Sequence, residues 1–109
     1  MRRIEASDLP EEPLEAAAQF YAQTAPGLDT DEDLLIVFPS ADHRHRGWRE
    51  AAVQELARTC APHRINAVVG DDAAAIDAAA AYLAAAPGVT GQVLVLDSQG
   101  AGAVVDEGA

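Results

Sequence analysis

A chain of 109 residues fits one domain, and half of its residues are apolar, which excludes a disordered chain. Eighteen acids against seven arginines, with no lysine, give a net charge of −11. A surface of that sign repels phosphate backbones and anionic lipid, so neither nucleic acid nor a membrane is an expected partner.

Arg2–Ala6 reads as a short first strand. Ser7 and Asp8 are the expected caps of the following helix, Leu14–Thr24, with Pro13 in its first turn and Pro26-Gly27 at its end. Leu14, Ala17, Ala18 and Tyr21 share one face of it, predicted to turn inward. Leu34–Phe38 is an unbroken apolar run, the pattern of a parallel strand covered on both sides. Arg46–Cys60 follows as a helix with Ala52, Val53, Leu56 and Cys60 inward, stopped by Pro62. Ile65–Val69 is the next strand, and Gly70-Asp71-Asp72 supplies a turn and a cap for a helix over Ala73–Ala86. Val93–Leu96 is the last predicted strand, and the Gly- and Ala-rich tail from Ser98 reads as loosely held.

The alternation of strand and helix predicts an α/β fold. It is a single-domain three-layer sandwich with about four parallel strands in sequential order, three main helices and right-handed crossovers. Its radius of gyration should be about 13 Å. Cys60 is the single cysteine, so no intrachain disulfide forms. No apolar run approaches about 18 residues, and Met1-Arg2-Arg3-Ile4 runs into acids. The expectation is a cytoplasmic protein without a membrane span or signal peptide.

Two motifs at consistent spacing carry a resemblance. Arg64-Ile65-Asn66-Ala67-Val68 and Thr90-Gly91-Gln92-Val93-Leu94-Val95-Leu96-Asp97 resemble the R-V-N-A-V strand and the closing T-G-Q-x-L-x-V-D of the short-chain dehydrogenase/reductase family. The helix Ala75–Ala86 and the segment Glu50-Ala51-Ala52-Val53 with Leu56-Ala57 are similar to family segments as well. The resemblance spans roughly Leu34–Asp97 and implies a Rossmann-like fold, present from that family's fourth strand onward.

The same alignment locates losses. The family's Tyr-x-x-x-Lys falls on Arg46 and Glu50, which cannot transfer and tune a proton in that way. Ser40, six residues before Arg46, lies too close to it to match the family's catalytic serine and reads as a turn residue. The family's Pro-Gly near the nicotinamide becomes Val69-Gly70. No Gly-rich phosphate turn occurs, and Gly100-Ala101-Gly102 opens no helix, so no dinucleotide cofactor is expected. The resemblance therefore implies a shortened relative without dehydrogenase activity.

One patch stands apart. Ala41-Asp42-His43-Arg44-His45-Arg46-Gly47-Trp48-Arg49 holds three of the seven arginines, two of the three histidines and the single tryptophan. It lies at the carboxyl end of a strand and the start of a helix, where open α/β sheets bind ligands. The arginines either pair with the chain's own acids, or hold a small anion or nucleotide, or anchor a protein partner. In the ligand reading the binding residues are Ser40, His43, Arg44, His45, Arg46, Arg49 and Gly70. Three ligands crowded into Asp42, His43 and His45 fit zinc poorly, so no metal is expected. An enzymatic reading would use His43 or His45 as a base oriented by Asp42. His63 reads as an isolated loop residue.

In the resembled family the helices corresponding to Leu14–Thr24 and Arg46–Cys60 pack across a dimer interface. The resemblance thus implies a homodimer, with Tyr21, Trp48, Ala51, Ala52 and Glu55 as interface residues. An unknown protein partner is the alternative.

Overall fold

The computed structural model describes residues 1–28, 31–96 and 104–105. In chain order the elements are β1 (Arg2–Glu5), α1 (Pro13–Gln19), β2 (Leu34–Phe38), α2 (Arg46–Cys60), β3 (Ile65–Val69), α3 (Ala73–Ala84), β4 (Val93–Leu96) and β5 (Val104–Val105). The sheet order is β1-β2-β3-β4-β5. The first four strands are parallel, paired in register Ile4↔Ile36, Ile36↔Ala67 and Ala67↔Val93. The short β5, which the sequence pattern did not announce, pairs antiparallel with β4. Asp97, the Gly100-Ala101-Gly102 run and the rest of the tail beyond β5 lie outside the described residues. The Cα radius of gyration is 12.8 Å.

The strands alternate between two cores, as a pleated sheet with a period of two requires. Leu34, Ile36 and Phe38 face one side with Ile65, Ala67 and Val69, and Phe20, Ala52 and Val53 cover them. Leu35, Val37, Val68 and Leu94 face the other side, beneath Ala79, Ala80 and Leu83 of α3. The apolar run of β2 is buried at every residue because each face has a helical lid.

This arrangement corrects one expectation. All three crossovers advance along the sheet in one direction, yet α1 and α2 lie on one face and α3 on the other. The β3–α3–β4 crossover therefore has the opposite hand to the two before it. A uniform right-handed winding would have left Leu35, Val37, Val68 and Leu94 facing water. Moving α3 across the sheet buries them.

A second correction concerns the first helix. Its N-cap is Glu12, with no side-chain cap bond, while Pro13 takes the first turn; Ser7 and Asp8 do not cap it. The helix passes into a π turn at Phe20–Thr24, where the Ala25 N–H reaches the Phe20 carbonyl, and a 3₁₀ turn at Ala25–Gly27. Ala16 and Phe20 point inward, whereas Leu14 is 87% and Tyr21 45% exposed. Burying one phenylalanine against Phe38 and Trp48 outweighs burying a stripe that is mostly alanine.

The other helices follow the pattern. Asp72 caps α3, its carboxylate accepting the Ala75 N–H at 3.0 Å. Ala52 and Val53 of α2 are buried, with Leu56 and Cys60 half-buried beside them.

Candidate functional site: the carboxyl ends of β1 and β2

The chain leaves β2 through Pro39 and Ser40. Ser40 is exposed, and its N–H donates to Asp71 Oδ1 at 3.1 Å, tying the ends of β2 and β3 together. Asp42 then caps a 3₁₀ turn, His43–His45, accepting the Arg44 N–H at 2.9 Å. The Arg44 guanidinium folds back on the same carboxylate, with Nη2 3.0 Å and Nε 3.2 Å away, and lies 3.9 Å from Glu12. These hydrogen bonds hold the Asp42 carboxyl below its ordinary value and the Arg44 guanidinium above its own. Arg46 sits 3.7 Å from Glu50, one turn along α2. The two residues on which the expected Tyr-x-x-x-Lys alignment falls thus form an ion pair.

The inner residues of the patch do different work. Trp48 Nε1–H donates to His45 Nδ1 at 3.0 Å. An indole can only donate, so His45 carries its proton on Nε2, which donates to the Glu11 carbonyl at 2.7 Å. His45 is 5% exposed and links the start of α2 to the β1–α1 loop. Trp48 packs against Phe20 and Phe38, each with ring centroids 5.6 Å away.

Arg49 is also 5% exposed. Its Nη1 donates to the Pro39 carbonyl at 3.0 Å, and its guanidinium carbon lies 4.6 Å from the Phe38 ring centroid. Its Nε is buried without an acceptor, and among the described residues no carboxylate pairs with it. Burial pushes its guanidinium below the ordinary value.

Two cavities meet at Arg49. The larger, about 320 Å³, is walled by Asp8, Leu9, Pro10 and Glu11 on one side and by Pro39, Ser40, Asp42, Arg44 and His45 on the other. The smaller, about 120 Å³, is lined by His43, Arg46, Glu50, Val69, Val93 and Val95. The patch therefore divides. Arg44 and Arg46 pair with acids at the surface, His45 and Trp48 brace the core, and Arg49 is buried without an anionic partner among the described residues. The β1–α1 loop is a wall that sequence reading missed, because it joins the site only through the β1–β2 pairing.

Gly70 stands apart from these cavities. Its N–H donates to the Phe38 carbonyl at 3.0 Å, and a Cβ there would meet the Leu96 Cβ at 3.3 Å, so its small size serves the β3–β4 contact. Of the expected interface residues, Tyr21, Ala51 and Glu55 are exposed, with Glu55 bound to Arg58 at 2.6 Å. Ala52, on the inner face of α2, is fully buried and is no surface residue, whereas Trp48 is half-buried, packed into the aromatic cluster with part of its surface accessible. His63 lies 4.0 Å from Asp33. Among the described residues no group of three metal-ligating side chains comes together, and no helix is long and apolar enough to cross a membrane.

The two motifs that carried the resemblance meet in space. The Ile65 N–H donates to Thr90 Oγ1, the Gly91 N–H to the Ile65 carbonyl, and the Gln92 N–H to Asn66 Oδ1, while Asn66 Nδ2 donates to the Val89 carbonyl. Gly91 has φ +77, a left-handed conformation that favours glycine.

Parallel strands in sequential order, with helices on both faces, define a Rossmann-like α/β domain. The family model described as "Short chain dehydrogenase-like protein" matches residues 4–96, and the chain belongs to this SDR-like family. No curated protein and no solved structure matches the chain.

Proposed function

We propose that this chain is a non-catalytic, cytoplasmic member of its family that works by self-association. The observation that carries this reading is the exposed apolar face of the first helix. Leu14, Ala18, Tyr21 and Ala22 lie along it, and two of the chain's exposed large apolar side chains are among them. Contiguous exposed apolar patches rimmed by polar residues mark interaction sites, and Leu14 with Tyr21 supports this reading. Ala51 and Glu55 lie on the outer side of neighbouring α2 and extend the surface. Leu14→Asp and Tyr21→Asp should convert a dimer to a monomer in light scattering while leaving the circular dichroism of the fold unchanged, and should remove any concentration dependence of the melting temperature. An unchanged mass in both would remove this surface from consideration.

The absence of catalysis is supported by the Arg46–Glu50 pair, which offers no group to protonate a carbonyl in the manner of tyrosine. Steady NAD(P)H oxidation by the purified chain with any carbonyl substrate would refute it. A second reading, a small anionic-ligand or nucleotide-binding regulatory site in the His43–Arg49 patch, is favoured by one observation: Arg49 is buried on the wall of a cavity without a counter-ion among the described residues.

A further inference from the structure

The charges around the larger cavity are mixed, and their pairing decides what fits. Arg49 forms the buried end, with one nitrogen on the Pro39 carbonyl, Nε without an acceptor and no ion pair to a carboxylate among the described residues. A desolvated guanidinium without an anion is the most costly kind of buried group, and a carboxylate is its best-matched partner. Asp42 does not serve, because Arg44 takes both of its oxygens. The opposite wall carries the exposed carboxylates Asp8 and Glu11; among the described residues neither lies within direct ion-pair distance of a cation, although Glu11 is close enough to Arg44 to favour its charge. Asp8 also adopts φ 60, an uncommon backbone conformation for a residue with a side chain. Leu9 and Pro10 give the same wall an apolar stretch.

A simple anion in this cavity would satisfy Arg49 and face Asp8 and Glu11. A simple cation would meet the reverse conflict. From the Arg49, Asp8 and Glu11 arrangement around this cavity we infer that the chain binds a small zwitterion of the α-amino-acid class, its carboxylate toward Arg49 and its ammonium toward Asp8 and Glu11. The inference rests on the small-ligand reading above and names its ligand chemistry. A volume of about 320 Å³ suits a molecule of that size. The apolar Leu9–Pro10 wall receives a short aliphatic side chain.

The test is an NMR titration of the full chain with a panel of aliphatic L-amino acids. Each is compared with the acid that lacks its amino group and the amine that lacks its carboxylate; for L-valine these are isovalerate and isobutylamine. The expected result is saturable shifts at the Asp8 and Arg49 amides, with the best amino acid binding roughly tenfold or more tightly than either fragment. Asp8→Asn, which tolerates the left-handed backbone, and Glu11→Gln alter only exposed side chains. Each should weaken the amino acid and leave isovalerate unchanged or tighter, a pattern that misfolding would not produce. If isovalerate binds as tightly as valine, the zwitterion inference fails and an anion site remains. If no member of the panel and neither fragment shifts these amides, the inference and the small-ligand reading fail together.

Discussion

Arg64 shows how much one side chain contributes here. Its Nε donates to Asp33 Oδ2 at 3.0 Å, its backbone N–H to Asp33 Oδ1 at 2.8 Å, and its Nη1 to the carbonyls of Leu83 at 2.9 Å and Ala86 at 2.6 Å. It thus caps the end of α3 and joins it to the starts of β2 and β3. Arg64→Ala should destabilise the chain by about 2–4 kcal/mol in urea unfolding, because two helix-end carbonyls and a carboxylate lose their donor together. The Arg64 backbone N–H first, and then its guanidinium, hold the Asp33 carboxyl below its ordinary value against partial desolvation. A depressed carboxyl contributes stability that is full above its unfolded value and lost as pH falls through the folded one. Asp33→Asn should therefore weaken the fold by about 1–2 kcal/mol at neutral pH. That difference should shrink in acid, below the ordinary carboxylate range. A gap that stays constant with pH would show that the charge is not involved. Arg64 and Asn66 were visible in the sequence as family signature, but their work as staples was not. It depends on Asp33, Val89 and Gln92, which are distant in the chain until the strands pair.

Among the elements, the strands and the last two helices were legible because proline, glycine and aspartate punctuate them. Pro39 follows β2, Pro62 follows α2, and Gly70-Asp71-Asp72 separates β3 from α3. The first helix was not, because Leu14-Glu15-Ala16-Ala17-Ala18-Gln19-Phe20-Tyr21 places apolar residues around most of its circumference. Two stripes at helical spacing compete there, and the larger buried ring decides between them. Phe20→Ala should cost about 3–5 kcal/mol, whereas Leu14→Ala should change stability by less than about 0.5 kcal/mol. Thermal or urea melts of the two variants check this. Similar losses for both would restore the inward Leu14 face. At the patch, the sequence showed the local cluster of arginines and histidines but not which would be buried. The packing of Phe20, Phe38 and Trp48 draws His45 and Arg49 inward and leaves Arg44 and Arg46 to the surface acids.

At the scale of the whole molecule, the frame and the chemistry have separate supports. The two recurrent motifs, Arg64–Val68 and Thr90–Leu96, bind one another and hold the β3–β4 half of the sheet. Neither motif bonds to a tyrosine or a lysine, so the layered frame has supports of its own, apart from the Arg46–Glu50 pair. The sequential strand order was readable from strand–helix alternation. The reversed hand of the last crossover was not, since it follows from which face of the finished sheet still needs covering. Leu14 and Tyr21 form an exposed apolar stripe on the first helix and its π turn, and covering it with a second copy is the role proposed for the chain. Sedimentation velocity over a wide range of protein concentration tests this most directly. A reversible shift from monomer to dimer mass, abolished by Leu14→Asp, is the predicted result. A single monomeric species at every concentration would contradict it.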